Sequence, residues 1–172
     1  RTFSVTVTGA GLADYEGLVT LKFAANAVIA DPLGNRFVPE DNQVVATYNV
    51  DTHAPDATFA DDQSATLFDN SVDGNGDPVV NDAVQYTVTF SEEVRALTAD
   101  DLTIVNGTLV AESIDLAGDG LSATFDVRAD QNSDANISVT VKDTVLDVAG
   151  NALVGASNGD VDVDTVNPSV VS

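Results

Sequence analysis

The chain contains no cysteine, no methionine and no tryptophan, and it has one histidine. Without cysteine it has no disulfide framework, no zinc–thiolate site and no thiol nucleophile. The histidine, His53, lies in a short proline-containing segment that has the character of a linker, so it is not expected to act as a base. The sequence has no G-x-S-x-G elbow, phosphate-binding loop or dinucleotide fingerprint. It therefore predicts that the chain is not an enzyme.

Basic residues are scarce as well. Six Lys and Arg stand against 28 Asp and Glu, which gives a formal net charge of −22. Such a chain repels nucleic-acid phosphates and anionic lipid headgroups. No apolar run is long enough to cross a bilayer as a helix. We therefore expect no nucleic-acid partner and no direct insertion into a membrane.

Motifs in the sequence recur in a fixed order. Three patterns occur twice: residues 2–7 and 124–129, the turn DPLGN at 31–35 and DVAGN at 147–151, and DTHAP at 51–55 and DTVNP at 164–168. The loops between them differ in length, but their order is the same in both copies. Self-similarity of this kind is the signature of tandem repeats.

The repeat predicts how the chain is divided. We expect the C-terminal part of one repeat at residues 1–50, a linker at 51–55, a complete repeat at 56–164, and the start of the next linker or repeat at 165–172. A unit of about 110 residues can bury its own hydrophobic core without disulfides or bound metals. The prolines of the linkers favour extended backbone, so consecutive repeats must nearly touch. We also expect the chain to be an excerpt from a longer protein.

Strand patterns dominate the chain. Alternation of apolar and polar residues, rich in β-branched and aromatic types, predicts strands near residues 3–7, 19–23, 84–90, 123–127 and 137–141, with shorter ones near 66–68, 102–105, 108–114 and 161–164. Asn106 and Gly107 predict a hairpin, and residues 98–101 predict a single turn. About seven short strands without helical periodicity predict an all-β fold, an immunoglobulin-like β-sandwich, repeated along an extended rod.

Carboxylates cluster in the predicted turns and not in one block. Hard oxygen ligands select Ca²⁺, which takes six to eight of them. In a sandwich of this type, two loops and the linker meet at one end, which predicts a calcium site made of Asp51, Glu92, Asp147 and Asn151. The equivalent turn of the first unit adds Asp31 and Asn35. The alternative is that Asp147 and Asn151 only form a turn.

Two further acidic clusters are candidates. Residues 69–77 alternate Asp or Asn with glycine and offer Asp69, Asp73, Asn75 and Asp77 as ligands, although a solvated loop explains them equally well. The predicted turn at 130–134 offers Asp130, Asn132 and Asp134, near Asp164 of the next linker. Asp14 and Glu16 hold the equivalent place in the first unit, where Asp51 could join them.

The motifs resemble those of the bacterial immunoglobulin-like repeats of giant secreted adhesins. The matching residues are DTHAP at 51–55, the acidic loop at 73–77, TFSEEV at 89–94, NGTL at 106–109 and DVAGN at 147–151. The resemblance covers essentially the whole chain. It implies an extracellular spacer at the bacterial cell surface, exported by type I secretion, in which Ca²⁺ stiffens a monomeric rod. Its partners would be the neighbouring repeats of the same chain.

Two other functions fit the same architecture. A glycan- or protein-binding module would use its loops or a sheet face, but sugar sites usually stack on Trp or Tyr, and this chain has no Trp and three Tyr. An accessory domain of a large secreted enzyme would have the same sequence features. The calcium-stiffened spacer is the function that the sequence favours.

Overall fold

The computed structural model describes residues 4–63, 67–68, 83–157 and 161–166. The chain forms two compact units, Arg1–His53 and Ala54–Ser172. In the described ranges every regular element is a β-strand or a short 3-10 turn. The prediction of an all-β fold is confirmed.

The first unit is built on two antiparallel strand pairs. Its strands, in the part that the structure describes, are β1 (Glu16–Lys22), β2 (Ile29–Ala30), β3 (Arg36–Phe37) and β4 (Val44–Asp51), preceded by a 3-10 turn at Ala10–Leu12. β1 pairs with β4, and β2 pairs with β3. Residues of β1 alternate between exposed and half-buried, so neither face of this strand is fully covered.

The second unit has two main sheets. Its described strands are β5 (Ala57–Asp61), β6 (Leu67–Phe68), β7 (Ala83–Phe90), β8 (Leu102–Val105), β9 (Gly107–Leu109), β10 (Asp115–Leu116), β11 (Ser122–Ala129), β12 (Ser138–Val141), β13 (Ala156–Ser157) and β14 (Val163–Asp164), with a 3-10 turn at Ala99–Asp101. One sheet has the order β10-β11-β7-β5, and β9 also pairs with β11. The other has the order β13-β12-β8, and β14 pairs with β6 in parallel.

The two sheets of the second unit share one apolar core. Alternation along β7 turns Tyr86 and Val88 inward, where both are 0% exposed. Phe125 of β11 lies opposite Tyr86, and the two rings stack with centroids 5.6 Å apart. Val139 and Val141 of β12 belong to the same core. Antiparallel sheets packed on a common core form an immunoglobulin-like β-sandwich, as the sequence predicts.

Residues 4–7 do not form a strand, although their alternation predicts one. The equivalent residues of the second unit belong to β11, which pairs along its length with β7. Among the described residues the first unit has no strand in the place of β7. An alternating segment without a neighbouring strand to pair with does not settle into a sheet.

The prediction of a hairpin at Asn106 and Gly107 is wrong. β8 pairs with β12 and β9 pairs with β11, so the chain crosses here from one sheet to the other. A Cβ atom at Gly107 would lie 2.9 Å from Val127 Cγ1 and 3.0 Å from the carbonyl oxygen of Arg128. Glycine is therefore needed for close packing against β11 and not for a hairpin turn. The single strand predicted at 108–114 is instead the end of β9 followed by a loop before β10.

Candidate metal centre

The turn at residues 147–151 is built around the side chain of Asp147. Its Oδ1 accepts hydrogen bonds from the backbone N–H groups of Gly150 and Asn151, and its Oδ2 accepts one from Asn151 Nδ2 at 2.8 Å. The Asp147 N–H donates to the carbonyl oxygen of Asn151 at 3.0 Å. Gly150 has a φ of 103°, which favours glycine. Asp147 and Asn151 therefore stabilise a turn, which is the structural role that their spacing predicts.

Asp147 is a buried anion. Asp147 is 2% exposed, and burial by itself would raise the pKa of its carboxyl group. Hydrogen bonds from Asn151, Gly150 and Ala149 outweigh burial, so the pKa lies below the ordinary value of 3.8. The carboxylate is thus negative at neutral pH and held in one orientation.

Glu92 lies beside this turn. It follows β7 and is half-buried, and one of its carboxylate oxygens lies within 4.8 Å of a carboxylate oxygen of Asp147. The backbone joins the two segments, since the N–H of Val148 donates to the carbonyl oxygen of Glu93 at 3.2 Å. Two carboxylates at this separation repel each other unless a cation or a proton lies between them. We call Glu92 and Asp147 the acidic pair.

The first residues of the second unit lie against the same loops. The carbonyl oxygen of Pro55 accepts a hydrogen bond from the N–H of Val154 at 3.0 Å. The Asp56 N–H donates to Ser91 Oγ at 2.8 Å, and the Ser91 N–H donates to the carbonyl oxygen of Asp56 at 2.9 Å. The acidic pair is therefore at the end of the sandwich where the chain enters it.

A basic side chain also reaches the turn. Arg95 Nη2 donates to the carbonyl oxygen of Val148 at 2.7 Å. The backbone N–H of Arg95 donates to the carbonyl oxygen of Leu146 at 3.0 Å, which holds the backbone of Arg95 against the same loop. The Arg95 guanidinium therefore bonds the backbone of the turn. The formal charges of Glu92, Asp147 and Arg95 together remain negative.

The first unit repeats the turn at residues 31–35. Asp31 Oδ1 accepts from the backbone N–H groups of Leu33 and Asn35, both at 2.9 Å, and Oδ2 accepts from Asn35 Nδ2 at 2.8 Å. The Asn35 side chain is the main reason that the pKa of Asp31 lies below 3.8. Gly34 has a φ of 86° and takes the place that Gly150 has in the second copy. The repeated motif therefore encodes the same turn twice.

The other predicted ligands of the first unit lie near the end of β4. Asp51 is the last residue of β4 and is the Cα partner of Glu16 on β1. Asp51 Oδ1 accepts a hydrogen bond from the His53 N–H at 3.1 Å. Asp14 Oδ1 lies 3.5 Å from Nε2 of His53. Glu16 and Asp51 are thus neighbours within this unit, and the linker histidine lies beside Asp14.

Thr165, which follows β14, connects the predicted second linker to the turn at residues 130–134. Its hydroxyl donates to the carbonyl oxygen of Asp130 at 2.8 Å and accepts from the Ser133 N–H at 2.9 Å. The Thr165 N–H donates to the carbonyl oxygen of Ser133 at 2.8 Å. The carboxylate of Asp164 accepts from the Val166 N–H at 3.1 Å. The turn and the linker are therefore neighbours, joined by a threonine and backbone groups.

Thr52 makes the same contacts in the first unit. Its hydroxyl donates to the carbonyl oxygen of Leu12 at 2.5 Å and accepts from the Tyr15 N–H at 3.0 Å. The Thr52 N–H donates to the carbonyl oxygen of Tyr15 at 2.8 Å. We call this set of bonds, in either unit, the threonine clamp. Sequence reasoning missed it, although the recurrence of Thr after Asp in both linkers was the available signal.

Removing the clamp hydroxyl in Thr165→Val is expected to destabilise the second unit by about 1–2 kcal/mol. Thr165 is 7% exposed, so the N–H of Ser133 loses its acceptor in a place that water reaches poorly. Thr103→Val is the control, because Thr103 is exposed on β8. Chemical unfolding followed by circular dichroism measures both, and hydrogen exchange at Ser133 should accelerate only in Thr165→Val. Equal stability of the two variants would contradict the role of the clamp.

The remaining predicted ligands are less closely grouped. Within the described ranges, none of Asp14, Glu16, Asp31, Asp130, Asp134 and Asp164 belongs to a group of three or more acidic or histidine ligands whose atoms lie within 4.8 Å of one another. The predicted loop with Asp69, Asp73, Asn75 and Asp77 lies outside the described residues. The acidic pair is therefore the best candidate for cation binding in the second unit.

Comparison with known proteins identifies the fold family. A family model described as a bacterial Ig-like domain matches residues 51–163. The chain belongs to this family. Searches of curated proteins and of solved structures gave no match.

Membership of the bacterial Ig-like family indicates the general role of the chain. These domains are typically non-enzymatic and are usually found in extracellular or surface proteins. In the part of the chain that the structure describes, no helix is long and apolar enough to span a membrane. Its membership of the bacterial Ig-like family, which matches residues 51–163, makes the chain a surface or extracellular Ig-like module.

Proposed function

We propose that this Ig-like chain is a spacer of a large bacterial adhesin and that Ca²⁺ stiffens it where consecutive domains follow one another. One observation carries the proposal: the carboxylates of Glu92 and Asp147 approach within 4.8 Å at the end of the sandwich where the chain enters. The chain has a net charge of −22, so few basic side chains are present to neutralise such a pair. Ca²⁺ prefers ligands of this type.

Asp51 is a further ligand in this proposal. It precedes Pro55 by four residues, and the match to the Ig-like family begins with it. Ca²⁺ takes six to eight oxygen atoms, so the Asn151 amide, backbone carbonyl groups and water would complete its shell. An ion shared by Asp51 and the acidic pair would tie the linker to the loops of the domain and restrict its motion.

The same ion would stabilise the folded domain. It relieves the repulsion between Glu92 and Asp147, and the unfolded chain does not hold these side chains together. A ligand that binds only the folded state raises its stability by mass action. Both the stiffening of the linker and the thermal stabilisation of the domain should therefore require calcium.

Calorimetry and small-angle X-ray scattering of the whole chain test this proposal. Ca²⁺ is expected to raise the Tm by several degrees over excess chelator and to increase the maximum dimension of the particle. Mg²⁺ should do less, because it demands near-octahedral geometry and keeps its water.

Neighbouring glutamates provide matched variants for this test. Glu92→Gln removes one charge of the acidic pair, whereas Glu93→Gln removes the charge of the adjacent, exposed residue. The calcium response should be lost in the first variant and kept in the second. If chelator changes neither Tm nor length, or if both variants respond alike, calcium does not act at the acidic pair.

A further inference from the structure

One side of the sandwich in the second unit is bordered by β8, β9 and β10. β8 ends the order β13-β12-β8 of one sheet, and β9 and β10 both pair with the side of β11 that faces away from β7. The opposite side carries β5 and β13, whose leading segments are joined by the hydrogen bond from the Val154 N–H to the carbonyl oxygen of Pro55. The edges formed by β8 and by β9 with β10 therefore lie on the same side.

The backbone of β8 has an open edge on this side. The N–H of Lys142 donates to the carbonyl oxygen of Asp101 at 2.8 Å, in the register of the β8–β12 ladder. Hydrogen-bonded pairs recur at every second residue of an antiparallel ladder, so Thr103 and Val105 also bond to β12. The N–H and carbonyl groups of Ile104 therefore point away from β12. Within the described ranges, β12 is the only strand that pairs with β8.

β8 lacks most of the features that block pairing at an open edge. Its sequence, LTIV, contains no charged residue, proline or glycine, and its register with β12 has no bulge. Three of its four residues are β-branched, which favours a strand. By contrast, β5 ends in an aspartate, and β10 has two residues. β8 is therefore the edge of this unit that is best suited to accept an added strand.

Apolar side chains lie along the same side and are half-buried. Ile104 of β8, Leu109 of β9 and Ile114, which precedes β10, pack against the core and keep part of their surface exposed. Val139 and Val141 of β12, which has a strand on each side, are 0% exposed. Burial is thus incomplete beside β8, and the apolar residues of an added strand would complete it.

The charges on this side indicate the kind of strand that it accepts. Asp100 precedes β8, Glu112 lies between β9 and β10, and Asp115 begins β10, and all three are exposed. Lys142, whose Nζ donates to the carbonyl oxygen of Asp100 at 2.6 Å, supplies one positive charge beside them. A second copy of this chain, with its net charge of −22, is repelled from such an edge, whereas a cationic strand is attracted to it.

We propose that β8 of the second unit binds an extended cationic segment of a partner protein as an added strand. The backbone groups of Ile104 would pair with the segment and set its register. Alternate apolar residues of the segment would cover Ile104, Leu109 and Ile114, and its basic residues would lie near Asp100 and Glu112. This binding requires no calcium and does not depend on the acidic pair.

A fluorescent peptide with the sequence KVKVTVKVK tests the charge preference. It is titrated with the whole chain in excess chelator, and its anisotropy is measured. The double variant Asp100→Asn, Glu112→Gln removes two charges from this side and is expected to weaken binding by about tenfold. The double variant Asp61→Asn, Asp62→Asn is the matched control, because it changes the net charge equally at the exposed end of β5 on the opposite side. The control should bind the peptide as the wild-type chain does.

A second probe separates strand addition from attraction between charges. N-methylation of the peptide amides removes the backbone donors without changing the charge, so the methylated probe is expected to lose nearly all binding. On the wild-type chain, the unmethylated probe should slow hydrogen exchange of the Ile104 amide by about tenfold or more. The Thr103 amide, which already bonds to β12, should change little.

Several outcomes would overturn the proposal. It is wrong if the unmethylated probe does not bind, if the methylated probe binds equally well, or if the Ile104 amide gains no protection. Equal weakening in the two double variants would mean that net charge alone attracts the peptide. If sedimentation shows a dimer of the wild-type chain in which the Ile104 amide is protected without any peptide, a second copy is the occupant and the proposal fails.

Discussion

Asp147→Ala is expected to destabilise the second unit by about 2–4 kcal/mol, with or without calcium. The buried carboxylate accepts hydrogen bonds from the backbone N–H groups of Gly150 and Asn151 and from the Asn151 side chain. Alanine leaves these donors without their acceptor and opens the turn. Native-state hydrogen exchange in the β7 and β11 core reports the free energy of unfolding of this unit.

Asp143→Ala is the control for this variant, because Asp143 is exposed in the same loop. A surface change of this kind should stay within about 0.5 kcal/mol of the wild type. If Asp147→Ala is as stable as Asp143→Ala in chelator, the carboxylate does not hold the turn. A loss of stability that appears only in calcium would mean that Asp147 acts only through the ion.

The pH dependence separates the charge of Asp147 from its shape. The folded-state pKa of this group is below 3.8, so its ionised form adds stability that is fully present above that value and is lost as pH falls through the folded pKa. Asp147→Asn keeps the shape without the charge. The stability difference between wild type and Asp147→Asn should be constant from pH 7 to about pH 5 and should shrink below the ordinary carboxyl pKa. An unchanged difference in acid would contradict this assignment.

Gly120→Ala is expected to cost the second unit about 2–4 kcal/mol. Gly120 has a φ of 67°, and an added Cβ would lie 2.7 Å from Glu93 Cγ and 2.8 Å from the carbonyl oxygen of Val94. The Gly120 carbonyl oxygen accepts the N–H of Val94 at 3.0 Å, so the two backbones cannot separate without losing this bond. Alanine therefore adds both left-handed strain and overlap with a neighbouring loop.

Gly118→Ala is the matched control in the same turn. A Cβ at Gly118 meets no heavy atom within 4 Å. Chemical unfolding should give this variant a free energy of unfolding within about 1 kcal/mol of the wild type. The variant should be slightly more stable if the only effect of alanine is to lower the conformational entropy of the unfolded chain. Similar unfolding midpoints for Gly118→Ala and Gly120→Ala would show that the close approach of Gly120 to Val94 does not affect the stability of the unit.

Local patterns predicted the strands β7, β11 and β12 of the second unit well because each alternates between buried and less buried residues along its length. They did not predict β5, whose alternation is incomplete. The turn at residues 98–101 was also predictable, and the structure closes it with a capping box in which Asp101 accepts from both the N–H and the hydroxyl of Thr98.

The crossing between sheets at Asn106 and Gly107 could not be predicted, because the same two turn residues occur both in hairpins and in connections between sheets. A hairpin forms if β8 pairs with β9, and a crossing forms if β8 pairs with β12, as it does here. Residues far from the turn in the sequence determine which pairing is more stable.

The candidate site was predictable in part. The repeated turn identified Asp147 and Asn151, and the end of a strong strand pattern identified Glu92. The number of hydrogen bonds that converge on Asp147 depends on backbone N–H directions, which no spacing of side chains reveals. The threonine clamp was hidden for the same reason, because its partners are carbonyl and N–H groups of the loop and not particular side chains. Calcium binding at these residues stays a prediction.

The parallel pairing of β6 with β14 has a mechanical consequence. β6 lies near the beginning of the second unit, and β14 leads into its last residues. Val163 pairs with Leu67 and Asp164 with Phe68, with both strands running the same way. Tension on the two ends of the unit pulls these strands in opposite directions along their length, so their hydrogen bonds are loaded in shear and share the force. A module tied in this way resists stretching better than one whose terminal strands peel apart one bond at a time.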